Sequence, residues 1–233
     1  MNALRQGRAG KCEVIPDDAP DAFATAAEVL RQGGVIGIPT DTVYGLAASL
    51  ERPDAIARLF ALKGRSSEKA IPVLLGDVES MDLLAERIPG SARDLAQSFW
   101  PGALTLVVPA RPGLPTDVTS PSAAGEQTVA IRVPDSEVAR GVIRAAGGLL
   151  AVTSANRSNN PPCLSAAEVA ALGDAAPDLV LDNGNSPGGV PSTILGFAGE
   201  EVVFLRSGAI SDREIERALQ VSMTRTRKLP GTV

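Results

Sequence analysis

The sequence predicts an α/β (α+β) fold: a single domain with a twisted mixed β-sheet flanked by helices. Segments with helical periodicity alternate with apolar, strand-like segments, and a short turn joins two of the strands as a hairpin. The 233 residues, 44% of them hydrophobic, suffice for one sizeable core but would be cramped as two domains. We place the domain at residues 20–219, between an N-terminal extension (1–19) and a flexible tail (220–233).

Composition excludes several classes of function. The net charge of -5 argues against binding polyanions over the whole surface, so any nucleotide contact needs a local group of cations. Aromatic residues make up 3% of the chain, fewer than stacking platforms for single strands require. Histidine is absent from the sequence, which excludes Ser-His-Asp and Cys-His nucleophiles and His-ligated metals. Carboxylates, hydroxyls, lysine, arginine and substrate groups are left to carry the chemistry.

Cysteine usage and hydropathy predict the compartment. Cys12 and Cys163 are far apart and form no CxxC motif, which indicates a reducing compartment without structural zinc. Residues 1–12 lack an apolar segment, and no run of about 18 apolar residues occurs. We therefore expect a cytoplasmic protein with no membrane partner.

The first predicted helix covers residues 21–32 and ends at two glycines, and an apolar strand follows at 35–38. Four polar residues come directly after that strand: Thr40, Asp41, Thr42 and Tyr44. Loops at strand ends hold ligands in open α/β sheets, which favours a binding site here. The alternative is a turn between core strands whose threonines satisfy backbone groups.

The second predicted helix begins at Pro53 and has an apolar stripe of Ile56, Leu59 and Phe60. The next position on the same stripe is Lys63, so a lysine ends the inward face. Gly64 breaks this helix, and Arg65 and Lys69 follow, which makes a local group of cations. Such cations often interact favourably with the dipole at a helix C-terminus. An inward lysine more often meets a ligand anion or a buried carboxylate.

The middle of the chain contains a third helix, which we expect Ser91 to cap, and a strand at 104–108. Residues 110–127 are rich in Pro, Gly, Ser and Thr and predict a long surface loop. The next strand, 128–133, carries Arg132 among apolar residues. A buried arginine is costly unless paired, so it meets either a structural carboxylate or a substrate anion in a cavity.

The last third begins with a helix from Asp135 and a strand at 149–152, which delivers the polar segment 153–156. Two capping boxes, Ser165 with Glu168 and Ser211 with Glu214, mark later helices. Between them lie a short strand (179–181), a glycine-rich loop (183–190) and a hairpin whose strands meet at Gly199. The loop lacks the Walker A pattern.

Seven of these segments together resemble the YrdC/YciO family in order and spacing over roughly residues 20–219. They are PTDTVYGL (39–46), KGRS (63–66) with Lys69, WPGALTLVVPA (100–110), VAIRVP (129–134), TSAN (153–156), PSTI (191–194) and RSG (206–208). The resemblance implies a YrdC-like sheet with a concave, positively charged cavity. It also implies an L-threonylcarbamoyladenylate synthase, a nucleotidyltransferase that joins L-threonine, bicarbonate and ATP and releases pyrophosphate. The product serves the threonylcarbamoyladenosine modification of tRNA, so tRNA and the downstream transfer machinery are further expected partners.

The resemblance also assigns roles to individual residues. Thr42, Arg132 and Ser192 are implied to bind threonine. The implied nucleotide and phosphate contacts are Lys63, Arg65, Lys69, Thr128, Ser154, Asn156 and Arg206, with Lys63 and Arg65 as the catalytic cations. Lysine and arginine stay protonated against a triphosphate, and Mg²⁺ bound with ATP covers the remaining charge. No metal ligand is assigned among the protein side chains.

Two departures and two rival functions remain. Leu74 stands near a position where some members have histidine, and Ser158-Asn159 follows TSAN where others have Ser-Gly. The chain is too short for the C-terminal domain of longer members and resembles the short, single-domain type.

One rival is a non-catalytic binder of structured RNA, which would need the cations but not the hydroxyl and amide residues. The other, the hydrogenase-maturation carbamoyltransferase branch, embeds this module among zinc-finger and acylphosphatase-like parts not found in this sequence.

Overall fold

The structure, a computed structural model, describes residues 12–64 and 70–219, and the backbone alone of 224–225. Its strands are β1 (Glu13–Pro16), β2 (Ile36–Ile38), β3 (Gly45–Ser49), β4 (Val73–Leu75), β5 (Leu104–Pro109), β6 (Thr119–Pro121), β7 (Gln127–Arg132), β8 (Leu149–Ser154), β9 (Leu179–Asp182), β10 (Thr193–Ala198), β11 (Glu201–Arg206) and β12 (Thr224–Arg225). Its helices are α1 (Ala22–Arg31), α2 (Pro53–Lys63), α3 (Met81–Leu84), α4 (Gly90–Phe99), α5 (Glu137–Ala145), α6 (Ala166–Ala170) and α7 (Asp212–Leu219).

All of these strands belong to one mixed sheet, in the order β1-β9-β2-β3-β8-β4-β7-β5-β10-β11-β12, with β6 paired to β7. The sheet contains both antiparallel pairs, such as β3 with β8, and parallel pairs, such as β4 with β7. The hairpin β10–β11 turns at Gly199, whose positive φ of 65° suits glycine. The mixed sheet with flanking helices confirms the predicted fold class.

Two hydrophobic cores lie on the two faces of the sheet. On one face, α1 and α5 pack over Ile36, Ile38 and Leu150, and on the other, α2 and α4 pack over Leu46 and Leu106. Burial of these apolar side chains is the main favourable term in folding. Since both faces are covered, the central strands are apolar on both sides, as β2 and β3 show.

Helix α2 confirms the inward position of its lysine. Ile56, Leu59 and Phe60 are buried, and Lys63 at the end of the same stripe is only 5% exposed. Gly64 follows with a left-handed φ of 58°, and its N–H donates to the carbonyl of Ala61 at 3.1 Å. The helix therefore ends in a glycine cap that leaves the lysine at the sheet.

Three expectations differ from the structure. Ser91 does not cap α4, because the Glu200 carboxylate accepts the backbone N–H groups of Gly90 and Ser91 at 3.2 and 3.1 Å. Residues 110–127 are not one irregular loop, since β6 pairs with the edge of β7. The sheet also begins before residue 20, because β1 pairs in parallel with β9.

The other terminal expectation, a flexible tail at 220–233, falls outside the described residues except for β12, which pairs in parallel with β11. The box of Ser211 and Glu214 is reciprocal as predicted: Glu214 Oε2 accepts Ser211 N–H, and Ser211 Oγ accepts Glu214 N–H. In the box at α6, Glu168 accepts from Leu164 N–H instead of Ser165 N–H. None of the helices in the described ranges combines the length and apolar character that crossing a bilayer requires.

Candidate active site

A cavity of about 360 Å³ opens where several central strands end. Its walls come from the loop after β2, from β4, β5, β7 and β8, and from the start of β10 and the end of β11. Its serine and threonine residues are Thr40, Thr42, Thr105, Thr153, Ser154 and Ser192. Arg132 and Arg206 supply two guanidiniums, and Val43, Leu74 and Val152 supply apolar wall. Small-molecule sites have this volume and this mixture of apolar walls with a few polar groups.

Arg132 is held at the end of β7 by three directed hydrogen bonds. Its Nη2 donates to Asp41 Oδ1 at 2.6 Å, its Nη1 to Thr42 Oγ1 at 3.1 Å, and its Nε to the Gly102 carbonyl at 2.8 Å. Asp41 Oδ1 also accepts the backbone N–H of Asp135 at 3.0 Å. Arg132 therefore pairs with a carboxylate, as one alternative expects, and it also lines the cavity, so its contact with a substrate anion stays a prediction.

Burial lowers the pKa of Arg132, and the Asp41 charge partly opposes this effect. An arginine guanidinium remains protonated in proteins even so. The ion pair is almost removed from water, with side-chain exposures of 7% for Arg132 and 15% for Asp41. Asp41 therefore neutralises and orients the arginine at this end of the cavity.

The two threonines after β2 do different things. Thr40 Oγ1 donates to the Val43 carbonyl at 2.6 Å and accepts the N–H groups of Thr42 and Val43, both at 3.2 Å. Thr40 thus satisfies the backbone of its own turn, as one of the two interpretations of this segment expects. Thr42 Oγ1 lies 3.0 Å from Thr40 Oγ1 and accepts from Arg132, so its hydroxyl belongs to the site.

Lys63 joins the end of α2 to the end of β8. Its Nζ donates to the Ser154 carbonyl at 2.7 Å, to Ser154 Oγ at 3.1 Å and to Asn156 Oδ1 at 2.5 Å. Ser154 Oγ also donates to Asn156 Oδ1 at 2.8 Å, and Asn156 Nδ2 donates to the Asn160 carbonyl at 2.5 Å. The acceptors of these Nζ bonds are uncharged oxygens, so the ammonium brings a positive charge to the residues beside the cavity.

Arg206, the last residue of β11, supplies the second guanidinium of the cavity. Its Nε and Nη2 donate to the Ser192 carbonyl at 3.1 and 2.7 Å, and Nη2 also donates to Ser192 Oγ at 3.0 Å. Burial lowers the pKa of Arg206, and the charge of Arg132 lowers it further. Both guanidiniums line the same cavity, which favours an anionic ligand there.

Tyr44 fixes the glycine-rich loop 183–190 to the site. Its hydroxyl donates to the Gly184 carbonyl at 2.8 Å and accepts the Asn183 N–H at 3.3 Å. Burial raises the pKa of Tyr44, so the phenol stays protonated and able to donate. The loop continues to Gly189 and Pro191, which line the cavity, so Tyr44 sets the position of one wall.

The structure brings most of the candidate residues together. Thr42, Arg132, Ser154, Ser192 and Arg206 line the cavity, and Lys63 and Asn156 stand behind Ser154. Thr128 lies apart from the lining formed by the described residues, because its Oγ1 donates to the Ser120 carbonyl at 2.8 Å on β6. Arg65 and Lys69 fall outside the described residues.

Sequence reasoning gave no individual role to two residues of the site. Asp41 was noted only as part of the polar row after β2, and its pairing with Arg132 joins residues 91 positions apart. Thr105 sits inside the segment 100–110 without an assigned role, although its neighbours Leu104 and Leu106 are both fully buried. Thr105 is the one polar residue in the otherwise apolar strand β5, LTLVVP, and this was the signal that could have identified it.

Comparison with known proteins identifies the family. A family model for Sua5, YciO and YrdC proteins, described as "Telomere recombination", matches residues 28–208. The threonylcarbamoyl-AMP synthase of Bacillus subtilis is 39% identical over 198 residues, which are 84% of this chain. The chain belongs to the Sua5/YciO/YrdC family. This membership confirms the resemblance inferred from the seven segments.

Two further comparisons show how much of the chain the similarity covers. The threonylcarbamoyl-AMP synthase of Halorhodospira halophila is 37% identical over 67% of this chain and 80% of the relative. The crystal structure of Pyrococcus abyssi Sua5 complexed with L-threonine superposes with a TM-score of 0.81 at 33% identity, over 89% of this chain and 60% of that one. The chain spans 56% of the Bacillus subtilis synthase, a little over half its length.

Proposed function

We propose that this protein is an L-threonylcarbamoyladenylate synthase. It would condense L-threonine, bicarbonate and ATP to threonylcarbamoyl-AMP and pyrophosphate, as a nucleotidyltransferase, for the threonylcarbamoyladenosine modification of tRNA. The observation that carries this proposal is one cavity lined by two guanidiniums, Arg132 and Arg206, and by several hydroxyl groups. The carboxylate of threonine and the phosphates of ATP are anionic groups that fit such an arrangement.

Threonine is assigned to the Arg132 end. A guanidinium has five N–H donors, and the three bonds to Asp41, Thr42 and Gly102 leave two for a ligand. Those two suit the α-carboxylate of an amino acid. Leu74 and Val152 give that part of the cavity an apolar wall for a small aliphatic side chain. At the position where some family members have histidine, the wall is therefore apolar in this chain.

We assign the nucleotide to Lys63, Ser154, Asn156 and Arg206, and Arg65 and Lys69, which fall outside the described residues, stay predicted phosphate contacts. In these bonds Lys63 and Arg206 donate to neutral oxygens, so both side chains bring a positive charge that attracts phosphate oxygens. Among the described residues no group of three or more Asp, Glu, Cys or His side chains is placed to hold a metal ion. Mg²⁺ would then enter with ATP, bound mainly by phosphate oxygens, as is usual for this ion.

The proposed chemistry needs no nucleophile from the protein. The neutral amine of threonine attacks bicarbonate carbon, water leaves, and a carbamate forms. A carbamate oxygen then attacks the α-phosphorus of ATP, and pyrophosphate departs with the electrons of the broken P–O bond. The protein contributes by holding the reactants in register and by neutralising charge as pyrophosphate leaves. The absence of histidine from the sequence is compatible with this route.

The names of the relatives support the same proposal, since the Bacillus subtilis and Halorhodospira halophila proteins are threonylcarbamoyl-AMP synthases and the Pyrococcus abyssi protein binds L-threonine. A non-catalytic RNA binder would use the cations, but it would have no need for Thr42, Ser192 and Ser154 around an enclosed pocket. The hydroxyl groups therefore favour the enzyme.

The decisive experiment incubates the pure protein with ATP, L-threonine and labelled bicarbonate. We expect labelled threonylcarbamoyl-AMP and one pyrophosphate for each adenylate. Omission of threonine should abolish both products. Pyrophosphate release that continues without threonine, or threonine binding without any adenylate, would contradict the proposed reaction.

A further inference from the structure

Thr105 occupies a central place in the cavity that the proposed function leaves unused. It is 4% exposed and lines the cavity, on the strand between β7 and β10. Its cross-strand partner on β10 is Ile194, two residues after Ser192. On the other side, Leu106 faces Ile131, so the adjoining pair of positions is Thr105 and Arg132. In the order of the strands, Thr105 on β5 thus lies between Arg132 on β7 and Arg206 on β11.

A direct hydrogen bond of 2.8 Å joins Thr105 Oγ1 to Ser192 Oγ, and either hydroxyl can donate. Ser192 Oγ also accepts from Arg206 Nη2 at 3.0 Å, and a guanidinium can only donate. Each of the two hydroxyl groups carries one proton, and the hydrogen bond between them uses one of these protons. One proton is therefore left over, on a pair of side chains that both face the cavity.

We propose that Thr105 is a positioning residue that fixes the Ser192 hydroxyl, so that the pair donates its remaining proton to an oxygen of threonine or of its carbamate. The proposal deepens the proposed function and rests on it. The acceptor belongs to this part of the substrate because Thr105 adjoins Arg132, where the amino acid is assigned. The charged bond from Arg206 polarises Ser192 and makes the pair a stronger donor.

Loss of the Thr105 hydroxyl leaves Arg206 in place. The guanidinium keeps its bonds to the Ser192 carbonyl through Nε and Nη2, at 3.1 and 2.7 Å. Loss of the Thr105 hydroxyl should therefore weaken the binding of the amino acid and not that of the nucleotide. A purely structural role would instead lower the melting temperature and move all the kinetic constants together.

The test compares Thr105→Val, which keeps the shape but lacks the hydroxyl, with Thr105→Ser, which keeps the hydroxyl. For Thr105→Val we expect the threonine KM to rise about tenfold, the effect of losing one hydrogen bond, with the ATP KM within about twofold of the parent. In Thr105→Ser the threonine KM should lie close to the parent value. Thr119→Val is the matched control, because the Thr119 hydroxyl, on β6, donates to the Pro115 carbonyl and does not line the cavity.

A double-mutant cycle with Ser192→Ala provides a second measurement. If Thr105 acts through Ser192, Thr105→Val should change the threonine KM by less than about twofold in the Ser192→Ala background. Equal effects in both backgrounds, a parallel rise of the ATP KM, or no rescue by Thr105→Ser would overturn the inference. Should Thr105→Val fail to fold, Thr105→Ser and Ser192→Ala still decide it, since the first must stay near the parent and the second must raise the threonine KM selectively.

Failure of this inference differs from failure of the proposed function. If the parent makes the adenylate and Thr105→Val matches it, only the role of Thr105 is wrong. If the parent neither makes the adenylate nor binds L-threonine by calorimetry, the proposed function fails and this inference fails with it.

Discussion

The carboxylate of Asp41 and the guanidinium of Arg132 meet at 2.6 Å across the cavity end of the sheet. Asp41 follows β2 and Arg132 ends β7, so the bond spans the strands β3, β8 and β4 that lie between them in the sheet. Asp41 also holds the N–H of Asp135, just before α5. One carboxylate therefore fixes both the arginine and the chain that leads away from it.

This relationship predicts the behaviour of Arg132→Lys. A lysine cannot replace three bonds made from different nitrogens, and it offers a point charge in place of a planar fork. We expect the threonine KM to rise about tenfold to a hundredfold, the range for a charge-assisted bond, while the ATP KM changes much less. Steady-state kinetics with each substrate varied in turn measures the two constants.

L-Threonine methyl ester provides the control for Arg132→Lys, because it has no carboxylate to lose. Parent and variant should handle the ester alike. If both KM values of the variant rise in parallel and its melting temperature falls, Arg132 is structural and its assignment to threonine must be withdrawn.

Asp41→Asn isolates the other half of the pair. It leaves a buried guanidinium without its counter-charge, which typically costs about 3 kcal/mol or more in the free energy of unfolding. Urea unfolding measures that loss. Because the substrate carboxylate would supply the missing negative charge, L-threonine should raise the melting temperature of Asp41→Asn more than that of the parent.

Asp54→Asn is the matched control for Asp41→Asn, since Asp54 pairs with Arg52 at the surface, where an ion pair contributes little. Its stability and its response to threonine should stay close to those of the parent. If Asp41→Asn is as stable as Asp54→Asn, the buried pair does not hold the site together.

Lys63→Met tests the nucleotide side. The change removes an ammonium that donates to Ser154 and Asn156 and keeps a flexible apolar side chain in its place. We expect the Kd for ATP to rise at least about tenfold, because a positive charge beside the phosphates is lost. Titration calorimetry with ATP measures it. Arg58→Met removes a cation from the same helix, where Arg58 pairs with Asp178, and should leave ATP binding unchanged.

The sequence predicted the parts of this site that depend on local pattern. The 3.6-residue period of α2 placed Lys63 on the buried side, and the two-residue period of β7 placed Arg132 opposite Val129 and Ile131. Its pairings could not be predicted in this way. Asp41 meets Arg132 only because of the strand order, and local periodicity carries no information about which strands become neighbours.

The segment 110–127 shows a second limit. Its proline and glycine content is typical of loops, yet Thr119–Pro121 forms β6 along β7. A proline is acceptable there because it lies at the end of a short edge strand, where a missing N–H costs little. This strand also explains the position of Thr128, whose hydroxyl bonds the Ser120 carbonyl. Its implied contact with the nucleotide stays a prediction.

The final prediction concerns alkaline pH and Tyr44, the single tyrosine of the chain. Burial is the main cause that raises the pKa of its phenol, and the charges of Asp182 and Asp17 add to the effect. In the unfolded chain the pKa is about 10. Because the folded-state pKa lies above that value, the protonated phenol of Tyr44 stabilises the folded protein. This contribution to the free energy of unfolding is complete below about pH 10 and is lost as the pH rises through the folded pKa.

Tyrosinate absorbance reports this single residue directly, and urea unfolding at several pH values gives the matching stability. We expect tyrosinate to appear only above pH 10 or so, in step with loss of structure. Tyr44→Phe lacks the bond to the Gly184 carbonyl, so it should be less stable by about 1 kcal/mol at neutral pH but lose less on further alkalinisation. Because Tyr44 fixes the loop that carries Gly189 and Pro191 to the cavity wall, Tyr44→Phe should also weaken threonine binding at neutral pH. A folded parent whose tyrosine titrates at its ordinary value would show that the phenol is not held by the loop.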